Sequence, residues 1–145
     1  MTFTAFLIKY AEIGIKGKNR FLFEDALMKQ IRRALRPVEG EFTVSKTSGR
    51  IYVQADSEFD YDEALEALQR VFGIAGICPL VQIPNEGYED LAAHVVSYMD
   101  QMYPDKKITF KVDARRTNKS FPRNSMELNA DLGEEILKAF PEIRV

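Results

Sequence analysis

Apolar residues recur along this chain in two periods, at alternate positions in short runs and at every third or fourth position in longer ones. Residues 3–10, FTAFLIKY, form a short run with aromatic and β-branched side chains, which predicts a strand. Residues 20–36 repeat apolar side chains at a spacing of four, which predicts a helix with one buried stripe, namely Phe23, Leu27, Ile31 and Leu35. Pro37 and Gly40 mark the end of this helix.

The following segments continue the alternation. Residues 41–55 read as two strands joined by a Ser48-Gly49 turn. Residues 60–71 predict a helix with acidic side chains at its start, where the helix dipole favours them. Its inward positions are Tyr61, Ala64, Leu65 and Leu68. Residues 73–83 predict a fourth strand, so the order is β-α-β-β-α-β, the ferredoxin-like pattern.

A second alternation follows the turn-rich segment PNEG. Residues 88–102 predict a helix, residues 107–114 a strand with Ile108, Phe110 and Val112 on one face, and residues 125–140 a further helix. The inward positions of the two helices are Leu91, Val95, Tyr98 and Met102, and Leu128, Leu132, Ile136 and Leu137. A lone strand between two helices makes a poor sheet.

The chain therefore divides into two predicted domains and has an α+β fold class. Residues 1–83 form the ferredoxin-like domain. Residues 84–145 form an α/β domain that we expect to be incomplete in this sequence, because its strand lacks partners.

Charge is unevenly distributed although the formal net charge is only −2. Residues 9–36 hold eight Lys or Arg against three acids, and residues 105–124 hold seven against two. These windows contain most of the 20 basic residues of the chain. Local fields of this kind attract a polyanion whatever the net charge, which points to a nucleic acid as partner.

The second of these windows contains most of the loop DARRTNKSFPRNS, residues 113–125. Its cations surround an aromatic ring and a proline, and Ser125 is the predicted cap of the following helix. Arginine forks suit phosphate oxygens, an exposed ring can stack an unpaired base, and a helix N-terminus adds N–H donors. The alternative is a solvated loop with Phe121 and Pro122 packed inward. The candidate RNA-binding residues here are Lys111, Arg115, Arg116, Lys119, Phe121, Arg123 and Ser125.

The segment GIKGKNRF precedes the first helix and is the second candidate. Its Gly-x-x-Gly spacing is similar to a KH-type backbone clamp, whereas the spacing is too short for a phosphate-binding P-loop. A plain turn is the alternative interpretation. The candidate RNA-binding residues are Lys16, Lys18, Asn19 and Arg20, and Asn19 is also the predicted helix cap.

Signals for catalysis, metal binding and membrane insertion are weak. His94 and Cys78 are the single residues of their types, so neither a zinc site nor an internal disulfide is expected. No apolar run reaches the ~18 residues that span a bilayer, and the N-terminus does not read as a signal peptide. We expect a cytoplasmic protein without catalytic residues or a metal site in this chain.

Three motifs together resemble one family. YAEIGIKGKNRFLFE (residues 10–24), VFGIAGI (residues 71–77) and FKVDARRTNKSFPRNSMELNADLGEEIL (residues 110–137) are similar to the ferredoxin-like and THUMP domains of the tRNA 4-thiouridine synthetases. These are sulfurtransferases also linked to thiamine biosynthesis. Ala11 departs from the glycine that is usual in the first motif.

The resemblance implies a function for a parent protein. In that family the two domains hold the acceptor stem and 3′ CCA end of tRNA, while a C-terminal PP-loop domain adenylates a uridine using ATP with Mg and accepts sulfur as a persulfide. The PP-loop motif does not occur in this sequence, so no cofactor is expected here. The implied partners are tRNA and a sulfur donor such as a cysteine desulfurase, and a homodimer of the full-length protein is allowed.

Two alternatives remain open at the level of sequence. One is the RNA-binding region of another THUMP enzyme, such as a methyltransferase or a pseudouridine synthase. The other is a non-catalytic interaction module whose basic surface binds acidic partners. The leading hypothesis requires the two basic clusters to lie on one side of the molecule, where they grip RNA phosphates.

Overall fold

The computed structural model describes residues 2–10, 18–47 and 50–145, with the backbone alone for Lys18. The described chain separates into two compact units, Thr2–Gln82 and Ile83–Val145. The first contains β1 (Ala5–Tyr10), α1 (Lys18–Leu35), β2 (Phe42–Thr47), β3 (Arg50–Ala55), α2 (Tyr61–Gln69) and β4 (Ile74–Leu80). The second contains α3 (Tyr88–Met102) and α4 (Ser125–Ala139).

The first unit has the predicted β-α-β-β-α-β order. Its four strands form an antiparallel sheet in the order β2-β3-β1-β4, so β2 and β4 are the edges. β1 lies in the middle and pairs Phe6 with Val53 on β3 and Leu7 with Cys78 on β4. The predicted turn at Ser48-Gly49 lies outside the described residues, although β2 and β3 pair as the prediction requires.

One apolar cluster holds this unit together. The helical stripe predicted for α1 is confirmed, with Leu27, Ile31 and Leu35 buried and Phe23 partly buried. Its neighbours in the cluster come from alternate positions of the strands and from α2: Phe6, Ile8, Val44, Ile51, Val53, Ala64, Ala67 and Leu68. Alternate residues of a strand face one side of the sheet, so both helices cover the same face.

The caps of the first unit differ from the prediction at one helix. α1 begins at Lys18, so Asn19 is a helical residue and cannot be the cap. The polar Asn19 was a favourable cap by residue type, yet the helix begins at Lys18, two residues before the Arg20 start that this cap predicted. α2 is capped by Asp60, whose carboxylate accepts a hydrogen bond from the backbone N–H of Glu63 at 3.1 Å.

The second unit has two helices and, within its described residues, an extended segment in place of a strand. Residues 107–114 make one isolated parallel bridge, between Thr109 and Arg144. The predicted strand is therefore wrong as a hydrogen-bonded element, because the segment has a single partner residue. Its predicted face is right: Ile108, Phe110 and Val112 are partly buried, while the alternate residues are exposed.

Small clusters form the core of this unit. One contains Tyr88, Ala92, Leu128 and Leu132, and the other contains Met99, Ile136 and Ile143. The prediction for Leu137 is wrong, since it is 38% exposed and lies beside the inward stripe of α4. In the described part of the chain, the helices are too short or too polar to cross a membrane. The mixed α+β class is confirmed for the described chain, which combines a four-stranded antiparallel sheet with four helices.

Candidate nucleic-acid interface

The basic loop, residues 115–124, connects the extended segment to α4. The segment is tied to α4 just before the loop, because the backbone N–H of Ala114 donates to the Asn129 side chain at 2.7 Å. The loop ends in a capping box: Asn124 Oδ1 accepts from the Glu127 N–H at 2.9 Å, and Glu127 Oε1 accepts from the Asn124 N–H at 3.3 Å. Both ends of the loop are thus fixed by side-chain hydrogen bonds.

The cap corrects the prediction for Ser125. Asn124 caps α4, and Ser125 is its first residue. The reciprocal bonds of a capping box require an acid three positions after the cap, which Asn124 and Glu127 satisfy and Ser125 does not. Ser125 still lies at the helix N-terminus, where backbone N–H groups favour an anion.

Arg123 is held inside the unit. Its Nε donates to Asp131 at 2.9 Å, and its guanidinium carbon lies 3.5 Å from the centre of the Tyr88 ring. Burial raises the pKa of Tyr88, and the negative charge of Asp131 raises it further. The guanidinium that we assigned to RNA phosphate therefore anchors the loop to α3 and α4.

Arg116 closes the loop on itself. Its Nη1 donates to the carbonyl oxygen of Phe121 at 3.0 Å, and the Phe121 N–H donates to the Asn118 carbonyl at 3.2 Å. Asn118 Oδ1 also accepts from the N–H and hydroxyl of Ser120, at 3.0 and 2.6 Å. These bonds give the loop a defined shape in place of helix or sheet.

The remaining cations point to solvent. Arg115, Lys119 and Lys111 are exposed, and none of them has a hydrogen-bond or ion-pair partner among the residues that the structure describes. Their charges are therefore available to a ligand. The loop thus divides its predicted RNA-binding cations into two anchors, Arg116 and Arg123, and two exposed groups, Arg115 and Lys119.

Phe121 has an intermediate position. Its side chain is half-buried against the cluster of Tyr88, Ala92, Leu128 and Leu132, which agrees with the inward alternative more than with a freely exposed ring. It also lines a shallow groove of about 250 Å³ beside the loop. The other walls of this groove are Ile83, Pro84, Asn85, Gly87, Leu91, Arg115, Arg116, Thr117, Asn118 and Leu128.

The candidates of the first unit are described only in part. Lys16 lies outside the described residues, and only the backbone of Lys18 is described. Asn19 is exposed at the first turn of α1. Arg20 is half-exposed, and its hydrogen bond with the Tyr10 hydroxyl lowers the pKa of Tyr10 against the larger raising effects of burial and Glu24. That these residues share one side of the molecule with the basic loop stays a prediction.

Sequence reasoning missed the groove and the anchoring pairs. Arg123 pairs with Asp131, eight residues later on α4, and contacts Tyr88 on α3, far earlier in the chain. No local spacing in the sequence indicates these contacts. The capping box was visible as Asn124-x-x-Glu127. The groove forms where residues 83–91 pack beside the loop. The periodicity of apolar residues does not predict this packing.

Comparisons with known proteins identify both units. The profile of the ThiI ferredoxin-like domain matches residues 5–78, and that of the THUMP domain matches residues 86–145. A probable tRNA sulfurtransferase of Lachnospira eligens is 60% identical over 143 residues, and one of Agathobacter rectalis is 54% identical over 143 residues. Each alignment covers 99% of this chain and 36% of the relative, so the chain spans about a third of their length.

Two solved structures have the same fold. A crystal structure of a Pyrococcus horikoshii protein superposes with a TM-score of 0.79 at 33% identity, and covers 98% of this chain and 46% of that protein. A crystal structure of a 4-thiouridine synthetase–RNA complex with bound ATP superposes with a TM-score of 0.74 at 28% identity, and covers 99% of this chain and 36% of that one. The chain therefore belongs to the ThiI family, as a ThiI ferredoxin-like domain followed by a THUMP domain.

Proposed function

We propose that this chain is the tRNA-holding region of a tRNA sulfurtransferase, and that it grips the acceptor stem and the unpaired 3′ CCA end. The observation that carries the proposal is the basic loop of the THUMP domain, in which two anchored arginines fix the loop and leave Arg115 and Lys119 exposed, with Arg115 beside a groove. The relatives named tRNA sulfurtransferase and the likeness to a 4-thiouridine synthetase bound to RNA support tRNA as the ligand.

The exposed cations of the loop make the proposed contacts with RNA phosphates. Arg115 presents a planar fork that fits phosphate oxygens, and Lys119 and Lys111 add point charges close to it in the sequence. The N-terminus of α4, with Ser125 in its first turn, contributes backbone donors. Such contacts fix the register of an RNA without reading its bases, which suits a protein that serves many tRNAs.

The groove is the proposed site of a base from the unpaired end. Its volume of about 250 Å³ is below the ~300–1,000 Å³ typical of sites for drug-sized ligands, so it suits one flat group. Leu91, Phe121 and Leu128 supply apolar contact, and Asn85 and Asn118 supply polar side chains near the base edges. Arg115 lines the same groove, where it would meet the adjacent phosphate.

Adenylation and sulfur transfer are assigned to parts of the parent protein beyond this chain. ATP with Mg supplies the activating group in that chemistry, and a persulfide from a cysteine desulfurase supplies the sulfur. Among the described residues there is no group of three or more His, Cys, Asp or Glu side chains suited to a metal ion. The proposed role of the residues in this chain is to set the distance from the tRNA end to the modified uridine. We propose a cytoplasmic location for this role, because tRNA is modified there. A dimer of the parent protein is compatible with it.

The alternatives are weaker. A methyltransferase or pseudouridine synthase would share the THUMP domain, but the match of residues 5–78 to a ThiI ferredoxin-like domain favours a sulfurtransferase parent. An interaction module that binds acidic proteins would use the same cations without the groove, and binding measurements separate it from the proposal.

A fluorescence anisotropy titration tests the proposal on the 145-residue chain. The ligand is a labelled acceptor-arm minihelix that ends in CCA. Replacing the two exposed cations, Arg115→Ala with Lys119→Ala, should weaken binding by about 1–3 kcal/mol, the scale of the charge-assisted hydrogen bonds that the substitutions remove. The slope of log K against log salt should become shallower by about 0.7–0.9 for each phosphate that is no longer neutralised.

Lys138→Ala is the matched control. Lys138 is an exposed cation on α4 whose charge is paired with Glu134 at 3.0 Å, so its loss should leave the affinity within about twofold. If the control and the double variant weakened binding equally, the loop would contribute only nonspecific charge to RNA binding. Affinity for an acidic peptide equal to that for the minihelix would favour the interaction module.

A further inference from the structure

The ferredoxin-like unit carries an aromatic side chain on its surface that the proposed function leaves unused. Phe21, in the first turn of α1, is 55% exposed, and the neighbouring Leu22 is 65% exposed. The Lys46 ammonium, from the edge strand β2, lies 4.6 Å from the centre of the Phe21 ring. Phe21 therefore keeps more than half of its surface open while a cation covers part of the ring.

A buried carboxylate holds this cation in place. Glu24 is only 5% exposed, and its Oε1 lies 3.6 Å from the Lys46 ammonium, which itself is 28% exposed. The other carboxylate oxygen accepts a hydrogen bond from the Tyr10 hydroxyl. Burial and this hydrogen bond raise the pKa of Tyr10, so the hydroxyl keeps its proton. Lys46 is thus positioned over the ring by a fixed partner on the same helix as Phe21.

The surface around the ring is basic. Lys29, Arg32 and Arg33 are exposed on α1, Arg36 is exposed directly after its last residue, and the first turn of the helix has no acidic residue. Arg32 is about three helical turns from Phe21, so both lie on the side of α1 next to β2. There the Arg32 guanidinium also donates to the Val44 carbonyl at 3.2 Å. A strand of phosphates running from Phe21 along the helix would meet cations over roughly 20 Å.

We propose that Phe21, with Lys46 over its ring, is a stacking site for an unpaired nucleobase of the RNA that the chain binds. An open aromatic face supplies the stacking surface, and a neighbouring cation attracts the attached phosphate. This chemistry favours RNA over an apolar protein partner. An apolar partner would bury the surrounding cations without pairing them, which is costly. The proposal rests on the proposed function, because it assigns a second contact to the same RNA.

Phe72 provides a matched comparison within the same unit. It is 91% exposed, more than Phe21, but no described Lys or Arg lies over its ring. If exposure alone determined stacking, Phe72 would be the better site. If the cation and the basic helix matter, only Phe21 binds a base.

The experiment uses tryptophan as a reporter, since the chain has none. Phe21→Trp and Phe72→Trp each introduce one fluorophore that a stacked base quenches. We expect the CCA-ending minihelix to quench the fluorescence of Phe21→Trp and to leave that of Phe72→Trp unchanged. Phe21→Leu, which keeps an apolar side chain and removes the ring, should weaken binding about tenfold, while Phe21→Trp binds at least as well as the unsubstituted chain.

The outcomes separate this proposal from the previous one. Normal binding with no quenching of Phe21→Trp, or equal quenching in both variants, would overturn the stacking site alone. A Phe21→Trp signal that changes with protein concentration in the absence of RNA would show a contact between two copies of the chain and would also overturn it. Failure of the unsubstituted chain to bind the minihelix would overturn both proposals.

Discussion

The two units present cations by different means. In the ferredoxin-like unit, the described core is a single cluster of twelve buried residues under a four-stranded sheet, and the helix α1 carries Lys29, Arg32 and Arg33 at exposed positions. In the THUMP unit, the described clusters have four and three buried members and the extended segment forms one isolated bridge. There, side-chain hydrogen bonds and ion pairs hold the basic loop.

The comparison shows that hydrogen bonds and ion pairs of side chains can hold an irregular loop in shape without a large core. Two of its four cations are used as anchors: Arg116 holds the Phe121 carbonyl, and Arg123 holds Asp131 and the Tyr88 ring. Arg115 and Lys119 stay available because the anchors fix the backbone around them. In α1 the helix backbone satisfies its own hydrogen bonds, although the Arg32 guanidinium also donates to the Val44 carbonyl.

The largest expected effect tests the contrast between the cores. Leu68→Ala in α2, at a site with no exposed surface, should cost near the top of the ~2–5 kcal/mol range for such truncations. Leu132→Ala in α4, 5% exposed and in a cluster of four described buried residues, should cost near the bottom, since a small cluster collapses more easily around a cavity. Denaturant titrations measure both costs, and hydrogen exchange with mass spectrometry locates them.

The location of the weakened protection is part of this test. Each substitution should raise exchange mainly in peptides of its own unit. Equal costs, or faster exchange spread evenly over residues 2–145 in both variants, would contradict the view that the two units have separate cores.

A smaller effect tests the anchoring of the loop. Asn124→Ala removes the cap of α4 and should cost about 1 kcal/mol of stability. Asn124→Asp keeps an acceptor for the Glu127 N–H and should restore most of that stability, which makes it the matched control. Calorimetry on the three proteins checks the difference. An alanine variant as stable as the original would mean that the capping box contributes nothing to the loop.

Much of the fold was predictable because its signals are local. The stripe of α1 and the inward positions of α2 follow from a spacing of three or four residues, and the structure confirms them. The period-two pattern of Ile108, Phe110 and Val112 also identified the correct face. It did not produce a strand, because a strand requires partners and only Arg144 supplies one among the described residues.

The candidate site was less predictable for a physical reason. Composition located the cations, but whether a cation is exposed depends on partners far along the chain. Arg123 looked equivalent to Arg115 in sequence, yet Asp131 and Tyr88 reach only Arg123. Phe21 and Lys46 are similarly brought together by the packing of α1 against the edge strand β2, which no motif indicated.

The central claim is that the exposed cations of the loop bind the unpaired end of tRNA. A double-mutant cycle measures this directly, with the unsubstituted chain and the Arg115→Ala, Lys119→Ala variant each titrated against the acceptor-arm minihelix with and without its 3′ CCA. We expect that removing the CCA weakens binding by the unsubstituted chain but has little further effect on the variant, which gives a coupling above about 0.5 kcal/mol. Additive effects would place the two changes at independent sites and contradict the claim.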